Sequence, residues 1–157
     1  LLQSSEGQQR LSVKIPPGIA DGARIRLRGK GQPSPVGGES GDLYITVHVQ
    51  PHAWFRREGL DILLDLPLTP AEAALGAKVE VPTLSGKATL TIPPGTSSGA
   101  RLRLRGLGVK DPKTGQQGDQ YVVARIVMPR KLDEESQRLI REFDRRNPAD
   151  PRKELGW

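Results

Sequence analysis

Short runs in which apolar and polar residues alternate cover much of this chain, and a period of two marks strands with one buried face. Leu11, Val13 and Ile15 are separated by polar residues. Ile25 and Leu27 stand between Arg24, Arg26 and Arg28, which turns two apolar side chains inward and three guanidinium groups outward. Residues 44–49, 60–66 and 121–127 are further strand candidates, and residues 79–81 with 87–90 predict a hairpin around Ser85-Gly86. Two segments depart from this period. Thr69-Pro70-Ala71-Glu72 is a helix start, with threonine as N-cap, proline in the first turn and glutamate three residues after the cap; Gly76 ends that helix. Asp133 caps a second helix, with Glu134 and Glu135 in its first turn and Arg141, Arg145 and Arg146 towards its end, signs that suit the helix dipole. Leu132, Leu139, Ile140 and Phe143 form one apolar stripe on it, and Asn147-Pro148 stops it.

The pattern repeats. Ile15-Pro16-Pro17-Gly18 recurs as Ile92-Pro93-Pro94-Gly95, a shift of 77 residues. The run from Gly22 to Gly29 recurs from Gly99 to Gly106, and Gly41-Asp42 as Gly118-Asp119, at the same shift. One register held through two glycine-rich connections points to duplication. A shift of 77 back from Thr69 falls before residue 1, so the first copy is expected to lack its opening strand and helix. The expected fold is mainly β, with two tandem homologous β-sandwich-like domains, the first truncated at its N-terminus, and a C-terminal amphipathic helix. The expected boundaries are 1–52, 53–130 and 131–157.

Composition narrows the chemistry. The 157 residues include 18 glycines and 14 prolines, too many turn-formers for a helical bundle. With no cysteine, disulfides, thiolate metal sites and a cysteine nucleophile are excluded. His48 and His52 have a ligand spacing only on a helix; on a strand four residues span roughly 13 Å, and Pro51 opposes a helix. Asp42 and Asp119 each follow a glycine at a strand entrance, where turn chemistry is the ordinary role. The glycine-rich stretches lack the ordered glycine, lysine and hydroxyl residue of a phosphate loop. No metal, cofactor or enzymatic activity is expected.

Binding remains. A formal charge of +6 makes an anionic partner worth testing. The rows Arg24, Arg26, Arg28 and Arg101, Arg103, Arg105 are candidate phosphate contacts, although alternating arginines are as readily a solvated strand face. Aromatic residues are 4% of the chain, which disfavours base stacking and sequence reading of single strands. No apolar run approaches the roughly 20 residues of a membrane helix, so no membrane partner is expected.

Residues 68–76, Val81-Pro82-Thr83-Leu84 and Ile92-Pro93-Pro94-Gly95-Thr96 strongly resemble the C-terminal substrate-binding region of DnaJ-type co-chaperones. His52, Phe55, Arg57, Gly59 and Asp61 match that family's junction between two β-domains. The tail Asp150-Pro151-Arg152-Lys153-Glu154-Leu155-Gly156-Trp157 is similar to a bacterial branch named for curved DNA. The resemblance runs from about Leu11 through nearly the whole chain.

The resemblance implies an elongated protomer that dimerises through its C-terminal segment, with Leu139, Ile140 and Phe143 at the contact. It implies that an extended apolar client segment of an unfolded protein lies beside a strand carrying Leu11 and Val13, with Phe55 at the junction. The partner it implies is a DnaK-type chaperone, although neither histidine begins the His-Pro-Asp loop that stimulates that partner's ATPase. The expected compartment is the cytoplasm. The alternative is a nucleoid-associated protein binding curved DNA through its basic faces, and no helix here is an obvious groove reader.

Overall fold

The computed structural model describes residues 2–4, 7–9, 11–34 and 36–156. In chain order the elements are β1 (Leu2–Ser4), β2 (Gly7–Gln9), β3 (Arg24–Leu27), β4 (Leu43–Thr46), β5 (Phe55–Glu58), β6 (Asp61–Leu68) and α1 (Pro70–Leu75). They continue with β7 (Ala77–Thr83), β8 (Gly86–Ile92), β9 (Arg101–Leu104), β10 (Gln120–Ile126), α2 (Glu134–Arg146) and a 3-10 turn at Lys153–Leu155. The fold is mainly β. Residues 1–126 form one compact unit and 127–157 another.

The second copy is built on a sheet in the order β5-β6-β10-β9. β6 and β10 are parallel, from Ile62 opposite Gln120 to Leu68 opposite Ile126, and the crossover this demands contains α1, β7, β8 and β9. The β7–β8 hairpin lies over the inner face as a second layer. Leu64 and Leu68 of β6, Val122 and Ala124 of β10, and Val81, Leu90 and Ile92 of the hairpin form one buried cluster. Ile62, Leu63 and Leu64 of β6 are all buried, and the strand turns polar again at Asp65.

α1 starts where the sequence places it. The Glu72 amide donates to Thr69 Oγ1 at 3.1 Å and the Thr69 amide donates to Glu72 Oε2 at 2.8 Å, a reciprocal capping box. Gly76, at φ 82°, ends the helix. The carbonyls of Ala74 and Ala73 then accept from the Gly95 and Thr96 amides, which seats the turn after β8 on this helix end.

The first copy keeps the shift of 77 in its ladder. β3 pairs with β4 as Arg24–Thr46, Ile25–Ile45, Arg26–Tyr44 and Leu27–Leu43. β9 pairs with β10 as Arg101–Val123, Leu102–Val122, Arg103–Tyr121 and Leu104–Gln120, the same four pairs moved by 77.

Two strand expectations need correction. Residues 11–15 form no strand, although Leu11 and Val13 are half-buried and Ser12 between them is exposed. The shift would pair residues 2–4 with 11–13, as β7 pairs with β8; instead β1 pairs with β2, Leu2 opposite Gln9 and Ser4 opposite Gly7, and takes the partner that Leu11 and Val13 would need. Ile15 is exposed. β4 also stops at Thr46, short of residue 49, so His48 lies beyond its end. Its imidazole stands 3.7 Å from Asp21, whose Oδ1 accepts the Val49 amide at 2.8 Å.

Candidate functional site

A concavity forms where the chain leaves the junction and enters β5. His52 Nδ1 accepts the amides of Trp54 at 3.1 Å and Phe55 at 3.3 Å, so its imidazole bends the chain just before the strand. In this tautomer the ring proton sits on Nε2. β5 pairs with residues 61–64 of β6 only, whereas β10 pairs with β6 through Leu68. Among the described residues, Asp65–Leu68 therefore have a ladder partner on one side alone. The gap is an open depression of about 520 Å³ lined by Ala53, Trp54, Leu64, Leu66, Pro67 and Pro82, with His52, Arg56 and Asp65 at its polar margin. Trp54 is 62% exposed.

Phe55, singled out by the junction motif, points the other way. It is half-buried against the core cluster, opposite Leu64, with its ring centroid 4.9 Å from that of His52. It supports the depression without lining it, and Leu11 and Val13 are not among the lining residues either. Sequence reasoning missed Trp54, Leu66 and Pro82. The available signal was an aromatic residue inside the junction motif that the repeat does not require.

The polar edge is organised by Asp65. It accepts from Arg56 Nη1 at 2.7 Å and Nη2 at 3.1 Å, and Arg125 Nε stands 3.4 Å away. The hydrogen bond from Arg56 is the main reason its carboxyl lies below the ordinary value, with the charges of both arginines adding to it. Buried Gln120 donates Nε2 to the carbonyl of Pro82 at 2.9 Å, fixing that wall from behind, and its Oε1 has no partner among the described residues.

The arginine rows are less uniform than their sequence. Arg26 and Arg103, central in each row, pair with Asp42 and Asp119. Arg24, Arg28, Arg101 and Arg105 are exposed. The register puts Arg56, Leu63, Tyr121 and Arg103 in one line across the four strands, and Asp65, Val123 and Arg101 in the next. With Arg125 two residues beyond Val123, this outer face carries four guanidinium groups against Glu58, Asp61, Asp65 and Asp119, and Arg56 and Arg125 lie outside the two alternating arginine runs of the sequence.

On α2, Asp133 Oδ1 accepts the Ser136 amide at 2.7 Å, and Glu142 pairs with both Arg145 and Arg146. Leu139, Ile140 and Phe143 are 53%, 44% and 60% exposed. Among the described residues no group of three or more potential ligands is arranged for a metal ion, and no helix is long and apolar enough to cross a membrane.

Comparison with known proteins places this architecture. The model of the DnaJ C terminal domain family matches residues 3–129. The chain is 51% identical over 138 residues to the "Chaperone protein DnaJ" of Geobacillus thermodenitrificans, covering 88% of this chain and 36% of that protein. It is 45% identical over 153 residues to the "Curved DNA-binding protein" of Coxiella burnetii, covering 98% and 48%. The DnaJ of Cupriavidus taiwanensis is 49% identical over 140 residues, covering 89% and 37%. The chain thus spans less than half the length of these relatives. With its duplicated β copies and junction motif, this chain belongs to the DnaJ C-terminal domain family.

Proposed function

We propose that the chain is the client-holding part of a DnaJ-family co-chaperone. It binds extended apolar segments of unfolded protein, dimerises through residues 131–157 and delivers clients to a DnaK-type chaperone in the cytoplasm. Residues 1–52 and 53–130 are the two β-domains of this reading. The observation that carries it is the open apolar depression beside the one-sided edge of β6, with Trp54 exposed at its rim. An extended segment laid there gains backbone hydrogen bonds from a strand edge, which are blind to sequence, while the depression selects apolar side chains. In this reading Leu11 and Val13 belong to a client wall at the first copy, with Phe55 at the junction between the copies. The test is binding of a fluorescently labelled, reduced and unfolded client at low and high salt. Affinity retained at high salt supports the reading; affinity lost with salt overturns it.

A second reading is favoured by the arginine-rich outer face of the β5-β6-β10-β9 sheet. We propose that, if the chain binds DNA in the nucleoid, it does so through that face and the exposed Arg24, Arg28 and Arg105, with Arg26, Arg56, Arg103 and Arg125 each sharing a carboxylate. Such contacts track phosphates, and their affinity falls steeply with salt.

A further inference from the structure

One side chain ties the two copies together. Arg57 of β5 donates Nε to the carbonyl of Gly59 at 2.7 Å, Nη1 to that of Ile19 at 2.8 Å and Nη2 to that of Gly18 at 3.0 Å. Gly59 belongs to the turn into β6, whereas Gly18 and Ile19 belong to the Pro-Pro-Gly turn of the first copy. A guanidinium is planar with its donors in a fixed fork, so three bonds fix the orientation of the acceptors as well as their distance. The bond to Gly59 holds the side chain along its own strand and aims the outer nitrogens at the other copy.

The same turn is gripped from a second side. Gly18 has φ 84°, and a Cβ built there would collide with the carbonyl of Lys110 and come within 3.1 Å of Val109 Cγ1. Only glycine admits both that conformation and that approach. Val109 is buried; its amide donates to the Leu60 carbonyl at 2.7 Å and its carbonyl accepts the Gly118 amide at 3.0 Å. Asp61 Oδ1 accepts the Asp119 amide at 2.8 Å. The loop that presses on Gly18 is therefore fastened to the same junction that carries Arg57.

The repeat supplies the contrast. Gly95, the counterpart of Gly18, has φ 75° and nothing within 4 Å of a built Cβ. Its turn is seated on α1 through the Gly95 and Thr96 amides. In the second copy the turn gives donors to its own domain; in the first it gives carbonyls to Arg57 of the other. The backbone conformation is shared, but the packing is not.

We propose that Arg57 is a clasp that makes the two β copies one rigid body, so that the apolar surfaces of the two copies keep a fixed spacing and orientation. This stands apart from the client reading and does not depend on it. The chain has no cysteine, so Thr46→Cys in β4 and Thr89→Cys in β8, both exposed, give one spin label per copy. Double electron–electron resonance on the whole chain, with labelled chains diluted in an excess of unlabelled ones so that a dimer holds one labelled pair, is expected to show a single narrow distance peak. Arg57→Ala and Arg57→Lys, which cannot form the fork, and Gly18→Ala lose that narrow peak, while hydrogen exchange in β10 stays at the wild-type level. A broad distribution in wild type, or a narrow one in Arg57→Ala, overturns the proposal. Should Arg57→Ala lose β10 protection, the decision rests on the glycines: Gly18→Ala broadens the peak and Gly95→Ala does not. Equal behaviour of those two variants overturns the clasp.

Discussion

Asp119 neutralises Arg103 and closes the turn after β9 with the same carboxylate. Oδ2 accepts Arg103 Nε at 2.8 Å, and Oδ1 accepts the Gly106 amide at 2.7 Å. Asp42 does the same 77 residues earlier, accepting Arg26 Nε at 2.5 Å and the Gly29 amide at 3.0 Å. One carboxylate thus satisfies a turn amide and anchors an arginine that would otherwise stand free on the sheet. This is the turn chemistry that Gly-Asp at a strand entrance implies, and it removes the middle arginine of each row from the freely available charge.

The pair makes an acid-sensitive element. The turn amides first, and the arginines second, hold both carboxyls below their ordinary value of 3.8. A carboxyl depressed in the folded state lends stability that is complete above its unfolded value and is lost as pH falls through the lower folded value. The melting temperature of the wild type is expected to fall as pH drops below about 4. Asp42→Asn/Asp119→Asn melts lower at neutral pH and loses less over the acid range. Parallel melting curves for the two proteins would show that these carboxylates do not set acid stability.

The capping box of α1 is a second measurable element. Thr69→Ala removes the acceptor of the Glu72 amide and is expected to cost about 1 kcal/mol in urea unfolding, whereas Thr69→Ser costs a few tenths at most. Equal midpoints for Thr69→Ala and wild type would mean that tertiary contacts alone hold this six-residue helix.

What the sequence disclosed follows from how local each feature is. Period two, the capping box, the Pro-Pro-Gly turns and the shift of 77 are all written in neighbouring residues, and β3, β4, β9, β10, α1 and α2 stand close to where those signals put them. Leu11 and Val13 have the alternation of a strand without a ladder, because pairing is decided by a partner and β1 pairs elsewhere. The site was harder to read. The depression arises because His52 bends the chain away from an edge of β6, and no periodicity encodes that. Arg57 was visible as part of a motif, but its two acceptors in the first copy lie 38 and 39 residues away. Arg56 and Arg125 join the β9 arginines only through strand order, which alternation does not specify.

Trp54 is the sharpest test of the depression. Its ring is largely exposed, so Trp54→Ala is expected to leave the melting temperature unchanged while weakening unfolded-client binding about tenfold, or about 1.4 kcal/mol. Phe55→Ala is expected to lower stability as well, because Phe55 packs against the core cluster. Leu11→Ser/Val13→Ser reports on the first-copy wall. Unchanged affinity in Trp54→Ala with a loss in Leu11→Ser/Val13→Ser would move the client site from the second copy to the first.

The outer arginine face makes a quantitative prediction for DNA. Each phosphate contact adds roughly 0.9 to the slope of log affinity against log salt on duplex DNA. Arg101→Gln and Arg125→Gln are each expected to reduce that slope by about 1 and to weaken binding equally across sequences. Arg103→Gln is a poor probe of the same question, because it also frees Asp119. A slope that none of these variants changes would remove the face from consideration.

The apolar stripe of α2 predicts a dimer that one double variant dissolves. The helix has local support independent of any partner: Asp133 caps it, Glu135 pairs with Arg138, and Glu142 with Arg145 and Arg146. Alanine is the best helix former, so Leu139→Ala/Phe143→Ala removes the large apolar groups and leaves the helix intact by circular dichroism. Light scattering is expected to give a dimer mass for the wild type and a monomer mass for this variant. Burial of exposed leucine and phenylalanine side chains, at about 1.5–3 kcal/mol each, is of the size needed to shift such an equilibrium. A dimer that survives the substitution would put the interface on another surface, and a wild-type monomer at tens of micromolar would leave each protomer to hold its client alone.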